Sequence, residues 1–265
     1  MIVMPHWSAS RFMLFDLCPA SFKERYVDGV AGEPTEAMLF GSCVHRGLEA
    51  HYQGNDGERA FRAAWKVAAE VDLHGDVHRE LTGMGIELVD KVVALGLKGV
   101  PERPFYLDSE TELGAPIIGA LDLWDAESNT VFDFKTTRGS WSQARAQREQ
   151  WQPCLYTYAI WDETGEWPAF EYVVLNRATG VLSRFRREWT PDQWLDQMNA
   201  LWARMCEVSV AVAKGQLDCH GGHGYCPECG ERWTHEHNCD LVPHSRRVVL
   251  AKGGRHADSH RAAGR

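Results

Sequence analysis

The chain has no long hydrophobic run and no excess of positive charge. No apolar stretch approaches the roughly 18 residues that a membrane-spanning helix needs. The first residues, MIVMPHWSASR, lack the basic-then-apolar order of a secretory signal. The formal net charge of -9 argues against a protein that coats nucleic acid by bulk charge. We therefore expect a cytoplasmic protein with no membrane partner, and the charge stays compatible with an enzyme that binds nucleic acid locally.

Repeats and nucleotide-motor motifs are also missing. The sequence has no internal repeat and no G-x-x-x-x-G-K-[ST] loop, which excludes a helicase motor within this chain. The 8 cysteines are too few for a disulfide scaffold in a chain of 265 residues, because such scaffolds are typical of short secreted domains. Metal or cluster ligation is the better first interpretation of these cysteines.

The remaining composition is that of an ordinary globular protein, with 44% hydrophobic and 25% charged residues. Its length suits one domain of about 200 residues with appendages. Four of the 8 cysteines and seven of the 12 histidines fall in residues 219–265. We predict a main domain over residues 1–215, a Cys/His-rich metal or cluster module over 216–243, and a basic, disordered tail over 244–265.

The hydrophobic periodicity predicts helices first and strands later. Helices are expected from Ser8 or Ser10 to Tyr26 and over 37–52, 58–73, 77–97, 143–161 and 190–213. Strands are expected over 105–113, 115–125 and 130–137 as an antiparallel meander, and over 170–189 as a hairpin that turns at 176–180. The class is therefore α/β or α+β, with a mixed central sheet of about five strands flanked by helices.

Two carboxylates are predicted to face each other in this sheet. If the AESN turn is centred between Glu127 and Ser128, paired residue numbers sum to 255, which places Asp122 opposite Asp133. Opposed carboxylates are tolerated where a cation lies between them, and hard oxygen ligands suit Mg²⁺ or Mn²⁺. Strand alternation puts Lys135 on the face of Asp133, where an ammonium group could orient water and stabilise charge on a phosphorane.

The alternative interpretation is a solvent-exposed hairpin in which Lys135 forms a cross-strand salt bridge. Both flanking strands are apolar on both faces, as in a buried sheet, where unpaired charges are costly. The pattern therefore favours the metal site.

A series of motifs extends this interpretation. In order, the segments CPASFKERY, FGSCVHRGLE, GALDLWD, DFKTT and QPCLY resemble the RecB-type branch of the PD-(D/E)XK nuclease superfamily, which includes the CRISPR-associated exonucleases with an iron-sulfur cluster. The similarity spans residues 8 to about 160 and, through the cysteines, reaches 239. It implies a restriction-endonuclease-like fold, with His45, Asp122 and Asp133 as metal ligands and Lys135 as the catalytic lysine.

Other residues near these motifs carry weaker signals. The resemblance implies that Gln152 and Tyr156, four residues apart on a helix, help to hold DNA. Glu49, one turn after His45, is expected to complete the amphipathic pattern of its helix rather than to bind metal. The remaining residues have no assigned role or are expected in the core, although the tryptophans could also stack on unpaired bases: Glu110, Glu112, Trp124, Trp141 and Trp151.

The cysteines of the C-terminal module leave two metals open. Cys219, Cys226, Cys229 and Cys239 have a spacing that suits tetrahedral Zn²⁺, with nearby histidines as possible substitutes. The resemblance implies instead a 4Fe-4S cluster held by Cys18 together with Cys226, Cys229 and Cys239, with Cys219 left over. The last gap of nine residues is longer than is usual in the family. Cys43, Cys154 and Cys206 are expected to be small core residues.

Together these features predict a metal-dependent deoxyribonuclease. The expected activity is an exonuclease on single-stranded DNA or DNA ends, in recombination, repair or phage-type DNA processing, with a possible helicase or recombination partner. A catalytically silent nucleic-acid-binding or adaptor protein with a zinc module is the alternative, and a zinc-ribbon protein with an incidental D-x-K is a weaker one.

Overall fold

The sheet that organises the molecule has five strands and is mixed, as predicted. The computed structural model describes residues 1–30, 34–69 and 75–218. The strands lie in sequence order across the sheet: β1 (Val100–Leu107), β2 (Ile117–Asp125), β3 (Thr130–Thr137), β4 (Ala169–Asn176) and β5 (Leu182–Arg187). Strands β1 to β3 form the predicted antiparallel meander, β4 runs parallel to β3, and β5 closes a hairpin with β4.

Helices cover both faces of the sheet. They are α1 (Ala9–Leu17), α2 (Pro19–Tyr26), α3 (Glu36–Tyr52), α4 (Gly57–Ala69), α5 (Gly75–Val93), α6 (Glu110–Leu113), α7 (Gln143–Arg148), α8 (Trp151–Thr164) and α9 (Pro191–Ala213). None of these described helices has the length and hydropathy of a membrane-spanning segment.

Two hydrophobic cores result, one on each face. The first packs α1, α2, α8 and α9 against one side of the sheet and includes Trp7, Phe12 and Trp194. The second packs α3, α4 and α5 against the other side and includes Phe40 and Trp65. Because both faces are covered, charged side chains in the central strands are removed from bulk water, as the apolar flanks of the D-x-K segment predict.

The predicted boundaries of the last helix and of the β3 strand are confirmed. Thr190 and Gln193 form a reciprocal capping box, and Pro191 occupies the first turn, so α9 begins where the sequence indicates. The hairpin of β4 and β5 also turns where predicted, with the N–H of Gly180 donating to the carbonyl oxygen of Asn176.

Two predicted helices are each divided in two. Cys18 is extended (φ -161°, ψ 108°) between α1 and α2, because a residue before proline disfavours helical geometry and Pro19 follows. The expected helix over 143–161 breaks at Glu149, which is also extended. The guanidinium of Arg187 donates to the carbonyl oxygens of Ala146 and Glu149, so a distant side chain satisfies the end of α7.

The predicted strand over 105–113 is wrong at both ends. The β1 strand begins at Val100, since prolines 101 and 104 are tolerated on an edge strand. Residues 110–113 form the helical turn α6, which stops at Gly114 in left-handed geometry (φ 74°). The alternating glutamates of ETEL suit a short strand, but the same four residues form one helical turn in the structure.

The domain boundary proposed at residue 215 lies two residues after the end of α9. The predicted Cys/His-rich module and basic tail lie outside the described residues, apart from positions 216–218.

Candidate active site

Helix α3 carries His45 to the sheet and is anchored at its N-terminus. The side chain of Thr35 caps the helix by accepting a hydrogen bond from the N–H of Met38. Glu36 in the first turn pairs with Arg177, which follows β4 and is only 7% exposed. This ion pair links the start of α3 to the end of the β4 strand.

A close approach fixes α3 over the end of β3. A Cβ atom at Gly41 would lie 2.7 Å from Oγ1 of Thr136. A larger residue at this position would therefore push the helix away from the strand. The glycine lets His45, one turn further along, reach the carboxylates of the sheet.

The ladder between β2 and β3 has the predicted register as far as Leu123 and Phe132. Each observed pair sums to 255: Leu123 with Phe132, Trp124 with Val131, and Asp125 with Thr130. The ladder ends one step before the two aspartates. There Oδ2 of Asp122 accepts a hydrogen bond of 2.7 Å from the N–H of Phe134, so a side chain takes the place of a backbone partner.

His45 and Asp122 form the contact that joins helix to sheet. His45 Nδ1 lies 3.4 Å from Asp122 Oδ1. Burial lowers the pKa of His45, but the Asp122 carboxylate outweighs it and raises this pKa to about 8. Burial raises the pKa of Asp122, and the charges of His45 and Lys135 with the Phe134 hydrogen bond reverse this to a lowered pKa.

Asp133 is the most deeply buried carboxylate of the site, at 1% exposure. Burial raises its pKa to about 6, with a further contribution from Asp122, although Lys135 opposes the rise. Lys135 Nζ lies 2.5 Å from Asp133 Oδ2. Among the described residues, neither oxygen of Asp133 has a hydrogen-bond partner of good geometry, so the ammonium group is its single charged contact there.

Glu102 is a site residue that the sequence interpretation missed. Ligand atoms of His45, Glu102 and Asp122 all lie within 4.8 Å of one another, a group that could hold a metal ion. Glu102 has a φ of 46°, which is rare for a non-glycine residue, and burial and the Asp122 charge raise its pKa. Its position between two prolines in VPERP was the signal available in the sequence.

These donors fit a divalent cation. The metal-binding group combines one imidazole with two carboxylates, from His45, Glu102 and Asp122, and the predicted ligand Asp133 lies outside it among the described residues. Buried carboxylate oxygens are costly unless a cation or proton satisfies them. Oxygen donors with one imidazole suit Mg²⁺ or Mn²⁺. A cleft of about 400 Å³ opens beside the group, and its lining includes His45 and Glu102.

The Gln152 and Tyr156 pair lies on α8, on the first-core side of the sheet. Nε2 of Gln152 donates to the hydroxyl of Tyr156 over 3.2 Å, as expected for residues four apart on a helix. Tyr156 is buried against Phe105. Burial raises its pKa, and the negative charges of Asp133 and Asp122 raise it further, which places this hydroxyl close to the carboxylate group.

The weaker candidates have structural contacts. Glu49 accepts hydrogen bonds from Arg46 and Gln53 and lines the cleft, but it lies outside the metal-binding group among the described residues. Glu110 and Glu112 form the turn α6. The three tryptophans pack within the fold: Trp124 under Arg103, Trp141 on Tyr172, and Trp151 on Phe12.

The cysteine predictions are only partly within the described residues. Cys18 is buried at the junction of α1 and α2, and Cys43 and Cys154 are buried as expected. Cys206 is half-buried. The other proposed ligands lie outside the described residues: Cys219, Cys226, Cys229 and Cys239.

Sequence comparison identifies the class. The model of the PD-(D/E)XK nuclease superfamily matches residues 6–233, and the chain belongs to this superfamily. No curated protein has a matching sequence.

Two solved structures are similar to this chain at low sequence identity. A candidate exonuclease from Eubacterium rectale is 13% identical, with a TM-score of 0.59, over 81% of this chain and 84% of that one. SSO0001 is 14% identical, with a TM-score of 0.34, over 76% of this chain and 85% of that one. The first similarity supports a restriction-endonuclease-like fold.

Proposed function

We propose that the protein is a divalent-metal-dependent DNA exonuclease that acts on single strands or DNA ends and leaves 5′-phosphate products. The observation that carries this proposal is the convergence of His45, Glu102 and Asp122 in one possible metal-binding group, together with the buried carboxylate of Asp133. A lysine ammonium group lies at the same point. Such an arrangement suits hydrolysis of a phosphodiester better than a purely structural role.

The carboxylates and His45 would hold the metal, which in such sites lowers the pKa of bound water and neutralises phosphate charge. His45 turns Nδ1 towards Asp122, so the carboxylate orients the imidazole ring. Asp122 is itself held by the N–H of Phe134, which fixes the direction of its oxygens. The site is therefore organised before any substrate arrives.

Lys135 would act on the substrate. Its side chain is 27% exposed, and its ammonium group contacts Asp133. In this position it would orient the attacking water and stabilise negative charge as the phosphorus becomes five-coordinate. Gln152 and Tyr156 would hold the DNA strand against this group, since their hydrogen-bonded side chains lie near the carboxylates.

The finer assignments belong to the same proposal. We assign Mg²⁺ or Mn²⁺ to the carboxylate site. We assign a 4Fe-4S cluster to Cys18, Cys226, Cys229 and Cys239, as in the RecB-type branch, with Zn²⁺ as the alternative. The biological setting is recombination, repair or phage-type DNA processing in the cytoplasm, and a helicase or recombination partner would supply the unwound strand.

The deciding experiment is cleavage of end-labelled single-stranded DNA by the anaerobically purified full chain with Mg²⁺ or Mn²⁺. Lys135→Ala should lower the rate by on the order of a hundredfold or more, because a group that stabilises transition-state charge is lost. Lys98→Ala is the matched control, since this exposed lysine follows α5 and belongs neither to the metal-binding group nor to the cleft lining of the described residues. It should cleave like the unmodified protein.

Three outcomes are informative. Loss of cleavage in Lys135→Ala alone supports the proposal. Equal activity in both variants removes the nuclease assignment to this site. DNA binding without cleavage by the unmodified protein would favour the silent adaptor instead.

A further inference from the structure

We infer that residues 138–148, here called the arginine segment, bind the single-stranded DNA backbone outside the active site. This inference rests on the proposed function and adds the path of the substrate strand. Three observations carry it: uncompensated positive charge, direct connection to Lys135, and a rigid attachment to the sheet.

The arginine segment is positively charged within an acidic protein. Its sequence, RGSWSQARAQR, contains Arg138, Arg145 and Arg148 and no acidic residue, although the chain has a formal net charge of -9. Within the described residues, none of these three has a carboxylate within 4.0 Å. Most arginines elsewhere in the fold are paired with carboxylates: Arg46, Arg62, Arg103, Arg177, Arg184, Arg186 and Arg204.

A continuous row of side chains connects this charge to the active site. Lys135 Nζ lies 5.9 Å from the ring centroid of Tyr172. Trp141 packs on Tyr172 with a centroid separation of 5.0 Å, and the guanidinium of Arg145 lies 4.5 Å from the Trp141 centroid. Cations and aromatic rings thus follow one another from Lys135 to α7, with contact distances typical of cation–π and aromatic pairs. Tyr172 is 1% exposed, so these contacts fix the position of the arginine segment relative to Lys135, and the strand would bind the arginines beside them.

The arginine segment is held in place at both ends. The carbonyl oxygen of Gly139 accepts a hydrogen bond of 3.3 Å from Asn176, and Ser142 caps α7 by accepting from the N–H of Arg145 over 3.2 Å. Arg187 donates to the carbonyl oxygen of Ala146 over 3.2 Å. A pre-ordered surface loses little conformational entropy on binding, so its charges are available at low cost.

The spacing suits a phosphodiester backbone. Arg145 and Arg148 are three residues apart on one helix, so their Cβ atoms are about 5–6 Å apart, comparable with neighbouring phosphates on an extended strand. Guanidinium groups donate two parallel hydrogen bonds to phosphate oxygens. A single row of charges beside one active site matches one strand, while a duplex presents two backbones.

The test is the binding of a fluorescein-labelled oligothymidylate of roughly 20 nucleotides to the metal-free full chain over a range of salt concentrations. The variant is Arg145→Gln/Arg148→Gln. The matched control is Arg59→Gln/Arg62→Gln, which removes two arginines at the same spacing from α4. For single strands each phosphate contact contributes about 0.7 to the slope of log affinity against log salt, so the first variant should lower that slope by about 1.4.

Cleavage kinetics supply a second measurement. The first variant should raise KM about tenfold and leave kcat within about twofold, because the segment binds the strand but does not touch the reacting phosphate. The Lys variant, Arg145→Lys/Arg148→Lys, should restore most of the salt slope, since its charges remain. Recovery of binding in this Lys variant would also show that substitution at these two positions does not prevent folding.

An unchanged salt slope in Arg145→Gln/Arg148→Gln, or an equal change in the α4 control, overturns the inference. The proposed function fails separately, if the unmodified protein does not cleave DNA. The binding measurement contains no metal, so it tests the arginine segment even in that case.

Discussion

Asp122 accepts a hydrogen bond from the backbone N–H of Phe134, the residue directly after Asp133, over 2.7 Å. This contact forms where the ladder between β2 and β3 ends, so it holds the strands together as they part. It also distinguishes the surroundings of Asp122 from those of Asp133. Asp122 is oriented by Phe134 and His45, whereas Asp133 has no hydrogen-bond donor of good geometry among the described residues.

The different surroundings of Asp122 and Asp133 shift their pKa values in opposite directions. The pKa of Asp122 is lowered, because its charged form is satisfied, and the pKa of Asp133 is raised by burial. A cation near Asp133 would favour its charged form and oppose the effect of burial on its pKa. The same reasoning leads to predictions for pH, stability and metal binding.

The first prediction concerns pH. The pKa of His45 is raised to about 8 from 6.5, so the fold favours its protonated form. The stabilisation is fully present below pH 6.5 and is lost as the pH rises through about 8. The free energy of unfolding of the metal-free protein should fall by on the order of 1–2 kcal/mol across this window, as measured by urea denaturation.

His45→Gln is the control for this dependence. The variant lacks the titrating ring, so its free energy of unfolding should change less over the same window. An equal fall in both proteins would assign the pH dependence to other groups.

The second prediction concerns Asp133. Its pKa is raised to about 6 from 3.8, so ionisation of the buried carboxylate costs stability, and the cost appears as the pH rises between these values. At neutral pH, Asp133→Asn should raise the free energy of unfolding of the metal-free protein by roughly 1 kcal/mol. The same variant should lose the rise in Tm that Mn²⁺ gives the unmodified protein.

Asp90→Asn, on the exposed face of α5, is the matched control. It should change neither the free energy of unfolding nor the rise in Tm with Mn²⁺. A destabilised Asp133→Asn variant that still gains Tm with Mn²⁺ would contradict the assignment of Asp133 as a ligand.

The third prediction concerns Glu102 and its backbone. The φ of 46° puts the backbone of Glu102 in the left-handed region, which costs roughly 1–2 kcal/mol for most residues that carry a Cβ atom. Glu102→Gly should therefore leave the metal-free protein at least as stable as before, although a half-buried side chain is removed. Mn²⁺ affinity, measured by calorimetry, should fall about tenfold or more because one ligand is lost.

Glu49→Gln is the control that shows whether Glu102 binds Mn²⁺ directly or only adds negative charge to the cleft. Glu49 lines the same cleft but is outside the metal-binding group of the described residues. It should retain Mn²⁺ affinity within about threefold. Equal losses in the two variants would mean that Glu102 acts only through its charge.

The fourth prediction concerns Cys18 and the C-terminal cysteines. With a 4Fe-4S cluster, anaerobically purified protein is brown, and Cys18→Ser bleaches it and lowers Tm, since the cluster ties residue 18 to the end of the chain. With local Zn²⁺ the protein is colourless, Cys18→Ser has little effect, and Cys219→Ser releases the metal. An absorbance spectrum with metal analysis distinguishes the two. Colourless protein with stoichiometric zinc, after expression with ample iron, would overturn the cluster and leave the nuclease site untouched.

The sequence alone determined the features that depend on neighbours along the chain. The register of β2 and β3 follows from one short turn, because strand alternation and turn length set it without distant contacts. The start of α9 follows from the capping box of Thr190 and Gln193 in the same way. The order of motifs along the chain predicts the superfamily whose model matches residues 6–233.

Only the tertiary structure decided which residues from distant segments share the site. Glu102 joins His45 and Asp122 from an edge strand, where its own φ is positive. The prolines on either side of it mark an unusual backbone, but its place in the metal-binding group depends on contacts with distant residues. The break between α7 and α8 depends on Arg187, which donates to the end of α7 from about 40 residues away. Long-range contacts of this kind override helix periodicity, because a buried guanidinium must find carbonyl oxygens wherever the fold supplies them.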